Sequence, residues 1–283
     1  MPKRKRAGCI RPVKAYKNPE FLNSPSARLI RVLAEMLEPE SRFRRYGVRD
    51  TVVFFGSSRI LSRQQARARV EEIEKKVNAS GKENPETARQ LEVAKRGLVM
   101  SRYYEDAALL AEKLTRWFET LEGQGRNFKI CTGGGPGIME AANLGAERAG
   151  GRSVGLNVSL PLEQAPNPYQ CQELSFEFHY FFIRKFWFVY LAKALIVFPG
   201  GFGTLDELFE LLTLIQTGKS KKIMPVVLYG TDYWSRAINF EHMIEWNNIS
   251  PSDVELFKTC DDVDEALDYL KEQITNHYLA RHK

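Results

Sequence analysis

From residue 51 onward, short and almost wholly apolar runs alternate along the chain with longer stretches of helical character. The runs are Thr51–Phe55, Phe128–Thr132, Ser153–Val158, Leu174–Phe178, Ala194–Phe198, Met224–Tyr229 and Leu256–Cys260. Strands that are apolar on both sides are those covered by helices on both faces. The pattern therefore predicts an α/β fold, a Rossmann-like, doubly wound and mostly parallel sheet. Ahead of the first run, Ala27 to Leu37 predicts a short helix with Leu29, Ile30, Leu33 and Leu37 on one side.

One stretch interrupts the alternation. From Ser62 to about Val99 the chain is rich in Glu, Lys, Arg, Gln and Ala, broken only by a central turn from Asn78 to Pro85. These are good helix formers around a turn signal, so the stretch predicts a helical hairpin inserted after the first strand. A second helix, Tyr103 to Leu121, then returns the chain to the sheet with Ala107, Leu110, Ala111, Leu114 and Phe118 facing inward. The expected organisation is a basic arm with a short helix over 1–49, a Rossmann-like domain over 50–275 with its insert at about 62–99, and a tail over 276–283.

Composition adds little until charge is divided along the chain. With 43% hydrophobic and 27% charged residues in 283, this is the composition of an ordinary folded protein. The net charge of +6 suggests nucleic acid, but residues 1–49 alone hold a balance of +9, which leaves −3 for the rest. The arm reads as a solvated extension, with polyanion binding as its other reading, and nucleic acid is not an expected partner of the body. Cys9, Cys131, Cys171 and Cys260 are scattered without C-x-x-C spacing, and His179, His242, His277 and His282 form no metal-ligand pattern. Reduced thiols in a cytoplasmic protein without metal or cofactor are expected. The basic start is not followed by an apolar stretch, and the most apolar region, Phe176 to Phe202, is broken by Glu177, Arg184, Lys185 and Lys193. Neither a leader nor a membrane span is expected.

Three strand ends run straight into small, turn-forming residues: Gly56-Ser57-Ser58, Gly133-Gly134-Gly135-Pro136-Gly137, and Pro199-Gly200-Gly201-Phe202-Gly203-Thr204. In a parallel sheet all three lie along the carboxyl edge, where ligands bind. Glycines there let backbone N–H groups approach an anion, and the following helix adds its unpaired N–H groups and positive dipole end. Together they describe a phosphate-binding crevice. Commoner nucleotide motifs fail: the third glycine of G-x-G-x-x-G is Ile138 in one loop and Asp206 in the other, and Thr217-Gly218-Lys219-Ser220 lacks the earlier P-loop glycine.

Other side chains suit the chemistry of such a crevice. Glu207 lies one turn into the helix after the third loop, where a carboxylate can face a bound sugar. It equally completes a capping box, Thr204-Leu205-Asp206-Glu207, returning a hydrogen bond to Thr204. Arg184 and Lys185 occupy the first turn of a helix whose apolar face is Phe186, Val189 and Tyr190, a place where cations are disfavoured without an anion nearby. After the triple glycine, Glu140 and Asn143 share a helix face and are candidates to contact ribose or base, with Met139 beside them.

These motifs together resemble the LOG (lonely guy) family of nucleoside 5′-monophosphate phosphoribohydrolases. The resemblance rests on Gly133-Gly134-Gly135-Pro136-Gly137-Ile138-Met139-Glu140-Ala141-Ala142-Asn143, on Arg184-Lys185, and on Pro199-Gly200-Gly201-Phe202-Gly203-Thr204-Leu205-Asp206-Glu207. The last matches the family's P-G-G-x-G-T-x-x-E at every fixed position. It covers roughly Val52 to Cys260 without the insert, and implies hydrolysis of nucleoside monophosphates, AMP or cytokinin ribotides among them, to free base and ribose 5-phosphate. By the same resemblance, Gly200, Gly201, Gly203 and Thr204 would hold the 5′-phosphate with Ser57 and Gly134 nearby. Arg184 and Glu207 would be the catalytic pair, with Met139, Glu140, Asn143 and Lys185 about the base and ribose. It also implies a homodimer or a larger even-numbered assembly, in keeping with the aromatic run Phe186, Trp187, Phe188 and Tyr190. Plant-type members carry M-H-x-R-K where this chain has Phe181-Phe182-Ile183-Arg184-Lys185, so the chain looks more like the larger bacterial-style members. An older label for such proteins, lysine decarboxylase, finds no S-x-H-K pyridoxal-lysine motif here. The competing readings are a nucleotide sensor using the same crevice without turnover, and a single-stranded DNA binder. A pure anion sensor gains nothing from Glu207, and the body's charge of −3 disfavours the second.

Overall fold

The computed structural model of the protein describes residues 12–80, 85–122, 126–159 and 165–279. Seven strands are present: β1 (Asp50–Phe55), β2 (Phe128–Thr132), β3 (Ser153–Val158), β4 (Ser175–Phe178), β5 (Ala192–Val197), β6 (Val226–Tyr229) and β7 (Lys258–Cys260). All pair in parallel, in the order β4-β3-β2-β1-β5-β6-β7. The winding direction reverses between β1 and β5, which places the ligand-binding crevice of such a sheet at their carboxyl ends.

The helices are α1 (Pro19–Asn23), α2 (Arg28–Arg45), α3 (Arg63–Ser80), α4 (Pro85–Glu122), α5 (Ile138–Arg148), α6 (Phe181–Tyr190), α7 (Phe202–Gln216), α8 (Thr231–Ala237), α9 (Phe240–Glu245) and α10 (Val263–Ile274). Strand periodicity sorts the core into two layers. Val52 and Phe54 of β1 pack in the layer of α4, α5 and α10, whereas Val53 and Phe55 pack in that of α2, α6 and α7. Both sides of each central strand must therefore be apolar, which is why the strands stand out as apolar runs.

The expected elements hold at the strands and change at two helices. The short helix predicted to end at Leu37 continues to Arg45 through Pro39. A proline has no N–H for the carbonyl four residues back. That carbonyl, on Glu35, accepts the indole N–H of Trp187 at 3.1 Å instead, so a tertiary partner removes the cost of continuing. The helix is part of the folded body: Phe43 packs on the rings of Phe176 and Trp187 at 4.9 and 5.4 Å. Its predicted apolar side is a different matter. Leu29, Leu33 and Leu37 are 75%, 58% and 60% exposed, and the side turned to the core carries Val32, Met36 and Phe43.

The insert also differs from expectation. Its second arm and the helix expected from Tyr103 are one uninterrupted helix, α4, of 38 residues. Nothing between Val99 and Tyr103 breaks a helix, and Ser101 ties its hydroxyl to the Leu98 carbonyl at 2.7 Å within the turn. Val70 and Ile73 of α3 form a small core with Ala94 of α4. The hairpin turn itself, at 81–84, lies outside the described residues.

Candidate functional site

Local structure at the three glycine-bearing loops brings them together. The N–H of Ser57 donates to the Pro199 carbonyl at 2.9 Å, and the Ser57 carbonyl accepts the N–H of Ile138 at 3.1 Å. Ser57 thus stitches the β1 loop to the β5 loop on one side and to the start of α5 on the other. Tyr233 holds the third loop from below, its hydroxyl donating to the Gly200 carbonyl at 2.6 Å.

The helix after that loop begins at Phe202, with Gly201 as its N-cap and no side-chain cap. Thr204 is therefore inside the helix, and the capping box expected at Thr204 and Glu207 does not exist. Its premise, a helix starting after Thr204, is three residues late. A helix of 15 residues begins with N–H groups that have no intrahelical partner. With glycine at the cap, those of Phe202, Gly203 and Thr204 face the crevice unclaimed by any side chain. Gly201 and Gly203 are exposed, with open space where a side chain would stand, whereas Gly200 is packed against Thr204.

Glu207 lies one turn further along and is 8% exposed. Burial raises its pKa to about 7, and the charges of Arg184 and Lys185 hold it back from rising further. Arg184, in the first turn of α6, is half-buried and donates through Nε to the Leu156 carbonyl at 2.8 Å. Its guanidinium lies over Phe188, 5.0 Å from the ring centre, and burial lowers its pKa while Glu207 supports its charge. Gly133 explains how an arginine fits: a Cβ there would stand 2.5 Å from Nη2 of Arg184 and 2.8 Å from the Met139 sulfur. Glu207, Arg184, Gly133 and Met139 therefore meet across the switch point.

Several expected site residues are placed otherwise. Gly134 turns its N–H onto the Thr132 hydroxyl at 3.0 Å, so that donor points away from the crevice. Asn143 is fully buried beneath the triple-glycine loop. Its carbonyl oxygen accepts from Thr132 at 2.7 Å and from Asn167 at 2.9 Å, and its amide donates to Ser153 at 2.8 Å. An amide with all these bonds made has nothing to offer a ribose, so its part is to hold the loop. Lys185 pairs with Asp206 at 2.9 Å and Glu210 at 2.6 Å, both on α7, so its ammonium clamps α6 to α7 beside Glu207. Glu140 faces the opposite rim, where Tyr104 donates to its Oε1 at 2.8 Å.

The residues missed in the sequence are supports. Asn167 donates through Nδ2 to the carbonyls of Gly134 and Gly135 at 3.0 and 2.9 Å, and with Tyr233 it shapes the loops from positions remote in sequence. No spacing marks either. Among the described residues no group of three or more His, Cys, Asp or Glu side chains converges as a metal site requires, and no helix is long and apolar enough to cross a membrane.

Parts of the chain are similar to known proteins. Residues 139–270 match the family model described as "Possible lysine decarboxylase". The chain is 33% identical over 114 residues to the pyrimidine/purine nucleotide 5′-monophosphate nucleosidase of Escherichia coli (strain K12), covering 37% of this chain and 25% of that protein. It is 35% identical over 88 residues to a probable cytokinin riboside 5′-monophosphate phosphoribohydrolase of Oryza sativa subsp. japonica, covering 30% of this chain and 41% of that protein. The chain thus spans less than half the length of these curated relatives. Among solved structures, that of TM1055 aligns with a TM-score of 0.43 and 20% identity over 79% of this chain and 99% of that one. The molybdenum cofactor binding protein from Rippkaea orientalis aligns with a TM-score of 0.42 and 20% identity over 61% of this chain and 88% of that one. Residues 139–270, the part of the chain that matches this model, carry Arg184 and the whole Pro199–Glu207 loop.

Proposed function

We propose that the protein is a cytoplasmic hydrolase that cleaves the N-glycosidic bond of nucleoside 5′-monophosphates with water, giving free base and ribose 5-phosphate. The observation that carries the reading is Glu207, a buried carboxyl with its pKa raised to about 7, one turn beyond an uncapped helix N-terminus and beside Arg184. The 5′-phosphate is taken by the free N–H groups of Phe202, Gly203 and Thr204, where the helix dipole favours an anion. A sugar attached to that phosphate then reaches Glu207.

As the bond from C1′ to the base nitrogen breaks, positive charge builds on the ribose, and a carboxylate next to C1′ stabilises it. The same carboxylate accepts a proton from water, whose hydroxyl joins C1′, while the bonding electron pair leaves with the base and is protonated there. A pKa near neutrality suits a group that must give up and take back a proton. Arg184 favours the ionised form of Glu207 against the effect of burial and has its Nη groups for substrate oxygens, its Nε being held by the Leu156 carbonyl. The relatives' names, a nucleotide nucleosidase and a phosphoribohydrolase, agree with this reading.

The test is Glu207→Gln. The amide keeps the shape and removes the charge, so turnover of AMP should fall by about 10²-fold or more, with nucleotide binding retained. Turnover above about a third of wild type removes the catalytic assignment and leaves a nucleotide sensor. The working form we propose is a homodimer or a larger even-numbered assembly, supported by the exposed Leu33 and Leu37 on α2 and Phe182, Phe186 and Tyr190 on α6.

A further inference from the structure

Next to the site, on the far side of the α5 N-terminus, lies a cleft of about 950 Å³ whose outer wall is the inserted helix α3. Glu140 stands in it, one residue along α5 from Met139, whose sulfur lies by Gly133 and Arg184. The linings of crevice and cleft thus adjoin along the chain at Met139 and Glu140. Tyr104 fixes the Glu140 carboxylate by donating to Oε1 at 2.8 Å; burial and the neighbouring Glu140 raise the Tyr104 pKa, so the phenol stays protonated and is the donor. The second carboxylate oxygen forms no hydrogen bond among the described residues. Across the cleft, Arg63 and Arg67 project from one face of α3. Among the described residues neither guanidinium forms a hydrogen bond or salt bridge, although the charge of Arg63 acts on Asp106 and Glu71 and Glu105 line the same cleft. Tyr169 lines the same space with a half-exposed ring.

A fixed carboxylate facing unpaired guanidinium groups is a specific pattern. Carboxylates only accept and guanidinium groups only donate. Guanine is the nucleobase that answers both at once, with N1–H and the 2-amino group as neighbouring donors and O6 and N7 as neighbouring acceptors. Adenine presents an unprotonated N1 to the carboxylate and an amino group where guanine has O6. A tyrosine ring supplies a stacking surface for either. We propose that this cleft receives the base of the nucleotide and selects guanine, Glu140 accepting from N1–H and the 2-amino group and Arg63 or Arg67 donating to O6 and N7. The inference rests on the nucleotide reading of the crevice and narrows it to a substrate class. It also gives the insert a role: α3 brings Arg63 and Arg67 to a rim that the rest of the domain lines with Glu140, Arg148 and Tyr169.

The experiment is calorimetric titration of GMP, IMP and AMP into full-length protein carrying Glu207→Gln, so that the ligand stays intact, with ribose 5-phosphate as a control. The expected result is GMP at least about 10-fold tighter than AMP, the discrimination of one good bidentate pair, with IMP between them. Adding Glu140→Gln, or separately Arg63→Ala with Arg67→Ala on the exposed face of α3, should shrink the gap to below about 3-fold and leave ribose 5-phosphate affinity unchanged. Equal affinities for GMP and AMP, or a gap that survives both changes, overturn the proposal while leaving the hydrolase reading intact. Failure of every nucleotide and of ribose 5-phosphate to bind overturns both.

Discussion

Glu207 couples function to stability through one proton. Its pKa is about 7 in the folded protein against the ordinary 4.5 of a glutamate, with burial the larger cause and Arg184 the larger opposing one. Ionised carboxylate is the form that stabilises the ribosyl cation, so kcat/KM should rise with pH through about 7, and its acid limb should vanish in Glu207→Gln. The stability effect has the opposite sign. Below pH 4.5 the group is protonated in both folded and unfolded states. Between 4.5 and 7 the unfolded chain loses its proton while the folded one keeps it, so stability falls by about 3 kcal/mol. Glu207→Gln, which does not titrate, should therefore become more stable than wild type by about that amount as pH rises over this window, in denaturant unfolding at pH 4, 6 and 8. A constant difference across the three would show that burial does not burden the carboxylate. At this scale, that Glu207 and Arg184 lie near one another was legible in short motifs. The buried position of Asn143 was not, because whether an amide faces a cleft or a buried hydroxyl depends on Thr132, Ser153 and Asn167, which the motif does not contain.

Elements show where local signals suffice and where tertiary contacts decide. All seven strands fall on the apolar runs, since an interior parallel strand is covered by helices on both faces. Helix limits were harder. The helix read from its apolar positions ended at Leu37, and the indole of Trp187, 152 residues from Glu35, satisfies the carbonyl that Pro39 leaves free. The N-terminus of α7 was hard to read because Thr204-Leu205-Asp206-Glu207 has the spacing of a capping box. A glycine cap suits an anion, because it has no side chain to claim the first-turn donors. Gly201 has extended backbone geometry and nothing within 4 Å of a built Cβ, so other residues fit there without strain. Gly201→Ala should keep KM for the nucleotide within a few-fold. Gly201→Asp should place a carboxylate where the phosphate binds, raising KM by 10-fold or more while thermal stability stays level or rises by a few tenths of a kcal/mol. Unchanged KM in Gly201→Asp would move the phosphate away from this helix.

Among the described residues, two adjoining helices carry a set of large exposed apolar side chains. On α2 the stripe Leu29, Ile30, Leu33 and Leu37 faces outward, and on the adjoining α6 so do Phe181, Phe182, Phe186 and Tyr190. Trp187 and Phe188, counted with that run in the sequence, are buried in the core, so the run divides into an inner and an outer face. The two helices are joined by Glu35, whose carboxylate accepts the N–H groups of His179 and Tyr180 at 2.9 and 3.2 Å. Eight large side chains about half exposed amount to roughly 800 Å², the area each partner contributes to a standard stable interface. A second copy is the occupant that needs no further component, because a two-fold axis lets one patch cover its equal. Light scattering at micromolar concentration should therefore give twice the chain mass of 32.4 kDa or a higher even multiple. Leu33→Glu with Phe182→Glu puts charge on both helices without touching the buried layer beneath. It should shift the protein toward 32.4 kDa while leaving its far-UV circular dichroism unchanged. A wild-type monomer, or an assembly indifferent to both charges, would show that the partner for this face is not another copy of the chain.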